Sequence, residues 1–237
     1  MKILAVDTTA TAASVAVLSD GKLLSESFTN TGLTHSQTLM PMIDNTVRGA
    51  NIDIKDIDFF AVNNGPGSFT GVRIGVAAVK GMAQMLGKPC VEISTLESLA
   101  YNLIDNSCIA VCAMDARCQQ VYTASFDCDG NTVTRLCDDE AIAISDLEER
   151  LTNYKKTVIF VGDGAMLCYN YYKDRLPCSV ISEGRRHQKA LSVALAATLK
   201  IEKGETVSAN ELMPSYLRLP QAQRELKKRT EEKENLK

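Results

Sequence analysis

The chain has 237 residues, 45% hydrophobic and 23% charged, enough for one large domain or two small ones around real cores. Its 26 Lys and Arg against 29 Asp and Glu leave a net charge of −3, which excludes the basic footprint of a protein that grips a phosphate backbone by itself. Eight cysteines include no CxxC pair, and Cys90, Cys108, Cys112 and Cys178 lie in apolar, strand-like runs, so free thiols are expected rather than a disulfide framework.

The first elements read as a meander. Ile3-Leu4-Ala5-Val6 is followed by Ser14-Val15-Ala16-Val17-Leu18, and the Asp20-Gly21 turn leads into a third strand at Lys22–Phe28. Asp-Gly between alternating apolar runs marks a hairpin, because the turn needs a positive φ that glycine adopts without strain. With no leader pattern ahead of the first strand, and no apolar run near the ~20 residues that span a bilayer, a cytoplasmic location without membrane contact is expected. A helix is predicted over Thr34–Arg48, capped by Thr34 or Ser36, with a kink or late start at Pro41. Asp58–Val62 is the next strand, and a helix over Thr70–Leu86 closes at Gly87. A strand at Pro89–Ile93 then meets Ser94-Thr95-Leu96-Glu97, whose spacing is that of a capping box opening a helix to about Ile104.

From Cys108 the plan repeats. Cys108–Met114 matches the first strand and likewise runs into an aspartate, Asp115; strands at Gln120–Phe126 and Thr132–Leu136 flank the Asp129-Gly130 turn. Ser145–Glu148 reads as a second capping box, and Val158–Val161 is a strand entering Gly162-Asp163-Gly164. Helices at 165–172 and 189–202 flank a short strand at Ser179–Ile181. The expected fold is α/β, an actin-like (ASKHA, ribonuclease-H-like) duplicated βββαβα in two lobes: residues 1–104, bearing the partner-binding helices, and residues 105–205. A last helix over 206–223 is expected to pack near the lobe junction. Residues 224–237 carry ten charged side chains and read as a solvated or disordered tail.

Gly65-Pro66-Gly67-Ser68-Phe69-Thr70-Gly71 turns a strand into a helix. It lacks the Gly-Lys-Ser/Thr of a Walker loop, and its third glycine arrives one residue late for GxGxxG, so a structural turn and a phosphate cradle both remain open. In the helix it opens, Val72, Val76, Val79, Ala83 and Leu86 make one apolar stripe, while Ile74, Ala78, Gly81 and Met85 make a second on nearly the opposite side. Arg73, Lys80 and Gln84 form a polar seam between them. A helix flanking a sheet needs one stripe, so the second must be covered, by the other half of the chain or by another chain. The preceding helix adds Leu39, Met40, Met42, Ile43 and Val47, enough apolar arc to contribute to a four-helix bundle with a related chain.

No catalytic constellation appears. His35 and His187 are the two histidines and are not in ligand spacing, no metal cluster is evident, and Ser68 has no histidine base. In nucleotide-binding proteins of this class the first hairpin of each half carries Asp then Gly, whose amides hold phosphates. Here Asp7-Thr8-Thr9 and Asp115-Ala116-Arg117 keep the aspartates and lose the glycines, so Asp7, Thr8 and Asp115, with Gly162 and Gly164, outline at most a vestigial nucleotide site. The alternative is an active ATP-dependent kinase or ATPase holding Mg²⁺ on Asp7 and Asp115.

The run from Asn64 through Gly65, Pro66, Gly67, Ser68, Phe69, Thr70, Gly71, Val72, Arg73 and Ile74 to Gly75 resembles the signature of the TsaB (YeaZ) family. The opening Ile3–Thr8, the stretch His35–Pro41 and the closing Pro214-Ser215-Tyr216-Leu217-Arg218 support the resemblance. It implies a non-catalytic subunit of the bacterial machinery that makes N6-threonylcarbamoyladenosine at position 37 of tRNA. That subunit would pair through its first two helices with the catalytic, metal-bearing paralogue TsaD and be joined by the ATPase TsaE. Its partner surface would comprise His35, Leu39, Met42, Ile43, Ile74, Ala78, Gly81 and Met85. TsaD's metal helix reads HxxxH; here Leu39 follows His35, so that site does not carry over. No cofactor is required by this chain, a nucleotide at the complex interface and a homodimer of the isolated chain are left open, and tRNA is expected to be met only through the complex.

Overall fold

A computed structural model describes residues 1–218. β1 (Lys2–Asp7), β2 (Ala13–Ser19) and β3 (Lys22–Thr29) form the predicted meander, followed by α1 (His35–Gly49), β4 (Phe59–Gly65), α2 (Phe69–Leu86), β5 (Cys90–Ser94) and α3 (Thr95–Ala100). The second half runs β6 (Ser107–Asp115), β7 (Gln120–Asp129), β8 (Val133–Arg135), β9 (Glu140–Ala143), α4 (Glu148–Asn153), β10 (Val158–Val161), α5 (Ala165–Tyr172), β11 (Cys178–Val180), α6 (Glu183–Arg186) and α7 (Ala190–Glu202). The first sheet has the order β3-β2-β1-β4-β5 and the second β11-β10-β6-β7-β8, with β9 also paired to β7. In each sheet an antiparallel meander is extended by parallel strands. This repeated topology is the duplicated two-lobed actin-like fold.

β1 is apolar from Ile3 to Val6 because both of its faces are covered, as expected of a central strand flanked by helices. Leu4 and Val6 pack with Leu39 and Ile43 of α1 and Val72, Val76 and Val79 of α2. Ile3 and Ala5 point to the other face, where Ala190, Val193, Ala194 and Ala197 of α7 cover them. The second sheet is sandwiched likewise: Leu96, Leu99 and Ala100 of α3 lie over Ala110, Cys112 and Phe126, while Leu151, Cys168 and Tyr172 of α4 and α5 lie over Val111 and Phe160. The lobes thus exchange their last helices. The boundaries 1–104 and 105–205 need correction, since α3 belongs spatially with the second sheet and α7 with the first. Buried Asn102 ties the exchanged helices together, accepting from Ser192 Oγ at 2.6 Å and donating to the carbonyls of Arg185 and His187 at 2.8 Å.

Several local expectations are revised. Residues 206–218 form no helix: Val207 bridges to Cys90, the chain turns over Ser208–Leu212 and then continues as an irregular strap. The rest of the helix expected over 206–223, and the charged tail 224–237, lie outside the described residues. α1 runs through Pro41 from His35, with no side-chain cap from Thr34. Ser94 caps α3 by accepting from the amides of Leu96 and Glu97, but Glu97 turns away to Arg135 and Lys200. The box expected at Ser145–Glu148 is a short 3₁₀ turn over Ile144–Leu147 ahead of α4. All eight cysteines are free thiols. Among the described residues, no helix is long and apolar enough to cross a membrane.

Candidate functional site

Two features stand out: a cleft between the lobes and an uncovered face on α2. A cleft of about 650 Å³ lies between the Gly-rich turn and the β1–β2 loop on one side and the β6–β7 turn on the other, with Ser215–Arg218 of the strap along it.

The glycines of the turn serve close backbone approach. A Cβ on Gly71 would stand 2.1 Å from the Thr8 carbonyl oxygen, one on Gly67 2.5 Å from the Thr9 carbonyl oxygen, and one on Gly75 2.5 Å from Thr8 Oγ1. Thr8 Oγ1 donates to the Gly71 carbonyl at 2.7 Å, and the Ser68 amide donates to the Thr9 carbonyl at 2.7 Å. Gly65, at φ +133°, admits the backbone of Ser215 in the same way: a Cβ there would lie 2.1 Å from the Ser215 oxygen. Ser68 caps α2 by accepting from the Gly71 amide at 3.3 Å, and Gly87 closes the helix in the left-handed conformation. Phe69 packs at a tilt against Tyr216 and lies beneath the Arg73 guanidinium, and Pro66 and Thr70 line the cleft. The second lobe repeats the device: Gly162 and Gly164 let the backbone of Ala113–Asp115 approach their own Cα atoms.

Of the two readings of the turn, packing accounts for the geometry. The amides that would hold a phosphate are used by the chain itself. Thr9 N–H donates to Asp7 Oδ1 at 3.2 Å, and Arg117 N–H to Asp115 Oδ1 at 2.7 Å. Asp7 is fully buried and also accepts from Thr9 Oγ1 at 2.9 Å and Asn63 Nδ2 at 2.5 Å. Burial pushes its carboxyl up to about 6 despite these donors. A buried aspartate with both oxygens engaged is poorly placed to hold Mg²⁺, and it does not line the cleft, whereas Asp115 does. The residues present therefore do not fit a phosphate-and-magnesium grip. Asp163 opens onto the cleft; desolvation by the surrounding walls, and to a lesser degree Asp115, raises its carboxyl, while Gln188 donates to it at 3.1 Å. No group of three or more His, Cys, Asp or Glu among the described residues could hold a metal ion.

The second feature answers what covers the other stripe of α2. The first stripe is core, whereas Ile74 and Ala78 are half-buried, Gly81 is exposed, and Met85 is 74% exposed. Among the described residues, nothing in the other half covers Gly81 and Met85. On α1 the expected surface needs correction: Leu39 and Ile43 are 1% and 2% exposed because they point at the sheet, and the side chain that points outward is Met40, 52% exposed. Met42 is half-buried. His35 turns inward, its Nε2 donating to the Ala10 carbonyl at 2.7 Å. The polar seam of α2 holds the strap: Arg73 Nε donates to Tyr216 Oη at 2.7 Å and Lys80 Nζ to the Asn210 carbonyl at 3.0 Å. Sequence patterning gives no sign of that role, nor of Asn63 as the partner of Asp7.

Residues 26–226 match the family model described as TsaD, tRNA N6-adenosine threonylcarbamoyltransferase. A Bacillus subtilis protein named tRNA threonylcarbamoyladenosine biosynthesis protein TsaB is 31% identical over 94% of this chain and 96% of its own length. The Escherichia coli protein of the same name is 30% identical over 92% and 95%. A solved structure of YeaZ from Pseudomonas aeruginosa superposes with a TM-score of 0.77 at 26% identity, covering 91% of this chain and 99% of that one. By contrast, a transferase relative from Brachyspira hyodysenteriae matches 43% of this chain and 35% of its own. Full-length likeness to the TsaB proteins, a shared two-lobed fold and a Gly-rich turn built for packing place the chain in the TsaB (YeaZ) family, whose members take part in tRNA threonylcarbamoyladenosine biosynthesis.

Proposed function

We propose that the chain is a non-catalytic scaffold subunit of the tRNA threonylcarbamoyladenosine complex. In this reading it pairs with the catalytic paralogue TsaD and works with the ATPase TsaE while threonylcarbamoyl passes from its adenylate to adenosine 37. The observation that carries the reading is the uncovered face of α2. Apolar Met85, exposed Gly81 and half-buried Ala78 and Ile74 form a stripe shallow enough for another helix to lie close. Met40 of α1 supplies a second exposed apolar side chain. A related chain presenting its own first two helices would complete a four-helix bundle; in the absence of TsaD a second copy could take that place. The self-satisfied amides at Asp7 and Asp115 support a chain without catalysis or cofactor of its own, any nucleotide being held at the interface with the partner. The net charge of −3 supports contact with tRNA through the complex.

The test is co-purification with TsaD from the same organism. Gly81→Glu and Met85→Glu place a charge on the exposed part of the stripe, clear of the core, so each should abolish the heterodimer while the isolated chain stays folded. Wild-type recovery of the pair with both variants would sink the assignment.

A further inference from the structure

The strap over 207–218 crosses from one lobe to the other, and its contacts are specific at both ends. On the first lobe, Val207 exchanges both backbone hydrogen bonds with Cys90 (2.8 and 2.9 Å), the Met213 amide donates to Glu92 Oε1 at 2.9 Å, and the Ser215 amide donates to the Asn64 carbonyl at 2.7 Å. Tyr216 is then held by Arg73 and packs at a tilt against Phe69, with ring centroids 5.0 Å apart. Two residues on, Arg218 leaves the first lobe altogether. Its Nη1 donates to the Ala116 carbonyl at 3.2 Å and its Nη2 to Gln120 Oε1 at 2.6 Å, with the guanidinium 5.5 Å from the Tyr122 ring centroid.

The segment that Arg218 grips is unusual. Arg117, Cys118 and Gln119 all have positive φ, at 64°, 53° and 56°. Side chains in consecutive left-handed residues cost about 1–2 kcal/mol each. Such a turn persists where its surroundings over-determine it. The turn is closed by the Ala116 amide on the Gln120 carbonyl at 3.0 Å, the Gln120 amide on the Arg117 carbonyl at 3.1 Å and the Arg117 amide on Asp115 Oδ1 at 2.7 Å, and the Ile144 amide donates to the Gln119 carbonyl at 3.0 Å. Arg218 holds the two residues at the ends of that turn, from outside it.

We propose that residues 207–218 are a latch that closes the two lobes over the cleft, seated on β5 and α2 and caught on the β6–β7 turn by Arg218. The latch braces that left-handed turn from outside and forms one wall of the cleft. Arg73 and Lys80, which seat it, lie in the polar seam of α2 rather than on the stripe of Gly81 and Met85, so the latch stands independently of the pairing surface.

Hydrogen exchange read by mass spectrometry on the full chain tests this with Arg218→Ala and Arg73→Ala. Arg73 contacts Phe69 and Tyr216, both on the near side of the cleft or on the strap. A latch transmits its loss across the cleft, so both variants should exchange the amides of Ala116 and Gln120 about tenfold faster, with the β1 and β4 amides unchanged. Acceleration in Arg218→Ala alone would make the contact a local one and overturn the latch. Wild-type rates in both variants would overturn it equally.

Discussion

Two glycines of α2 give opposite and quantitative expectations. At Gly81 a Cβ meets nothing within 4 Å, and the position is exposed in the helix interior. Alanine there removes the entropic penalty of glycine, about 1 kcal/mol, without a clash, so Gly81→Ala should raise Tm by roughly 2–4 °C in a chain of this size. At Gly71 the same methyl would stand 2.1 Å from the Thr8 oxygen and 3.3 Å from the Thr8 carbonyl carbon, both backbone atoms. The β1–β2 loop would have to lift off the helix, at about 3 kcal/mol for overpacking, so the net loss is about 2 kcal/mol and Tm falls by roughly 4–8 °C. Thermal melts followed by circular dichroism, with urea midpoints as a cross-check, resolve both signs. A Gly71→Ala protein as stable as wild type would refute the packing account of the Gly-rich turn. A destabilised Gly81→Ala would show that this face is already covered within the isolated chain.

Asp7 gives a pH signature. Its folded carboxyl titrates near 6 against an ordinary 3.8, so between these values the folded state holds the proton more tightly than the unfolded one. Its contribution to stability is therefore greatest below pH ~4, declines as pH rises through 6 by about 3 kcal/mol, and is level above. Asp7→Asn should remove that slope, so the variant gains on wild type between pH 4 and 7 in urea titrations; a constant difference across the range would contradict the assignment. Calorimetric titration with Mg-ATP should show no micromolar binding, because the candidate phosphate-holding amides of Thr9 and Arg117 are occupied. Micromolar affinity with turnover lost in Asp7→Asn would instead support an ATP-dependent kinase or ATPase.

Much of the architecture is legible in the residues. The meander follows from Asp20-Gly21, α2 from its two apolar stripes and the closing Gly87, and the duplication from two apolar strands that each end in an aspartate. The helix exchange is not legible, because Leu96, Leu99 and Ala100 in α3 and Val193, Ala194 and Ala197 in α7 state only that a face is apolar and not which sheet it meets. For the same reason Leu39 and Ile43 could be read as interface or as core; the choice depends on the rotation of α1 about its axis, which is fixed by packing. The strap is invisible to periodicity since it has none: its seats are backbone groups and the seam residues Arg73 and Lys80, which by pattern alone are merely solvated. The glycines at 65, 67, 71 and 75 are legible as a demand for close approach. What approaches, Thr8, Thr9 and Ser215 rather than a phosphate, becomes evident only in three dimensions.

The central claim is that the uncovered stripe of α2, together with exposed Met40 of α1, is where the paralogue docks. Oxidative footprinting of the methionines reads this directly, since Met40, Met85 and Met213 are 52%, 74% and 60% exposed in the isolated chain. Adding TsaD should protect Met40 and Met85 from sulfoxide formation and leave Met213, on the strap, as reactive as before. Met85 oxidised at the same rate in the complex as in the free chain would contradict the account.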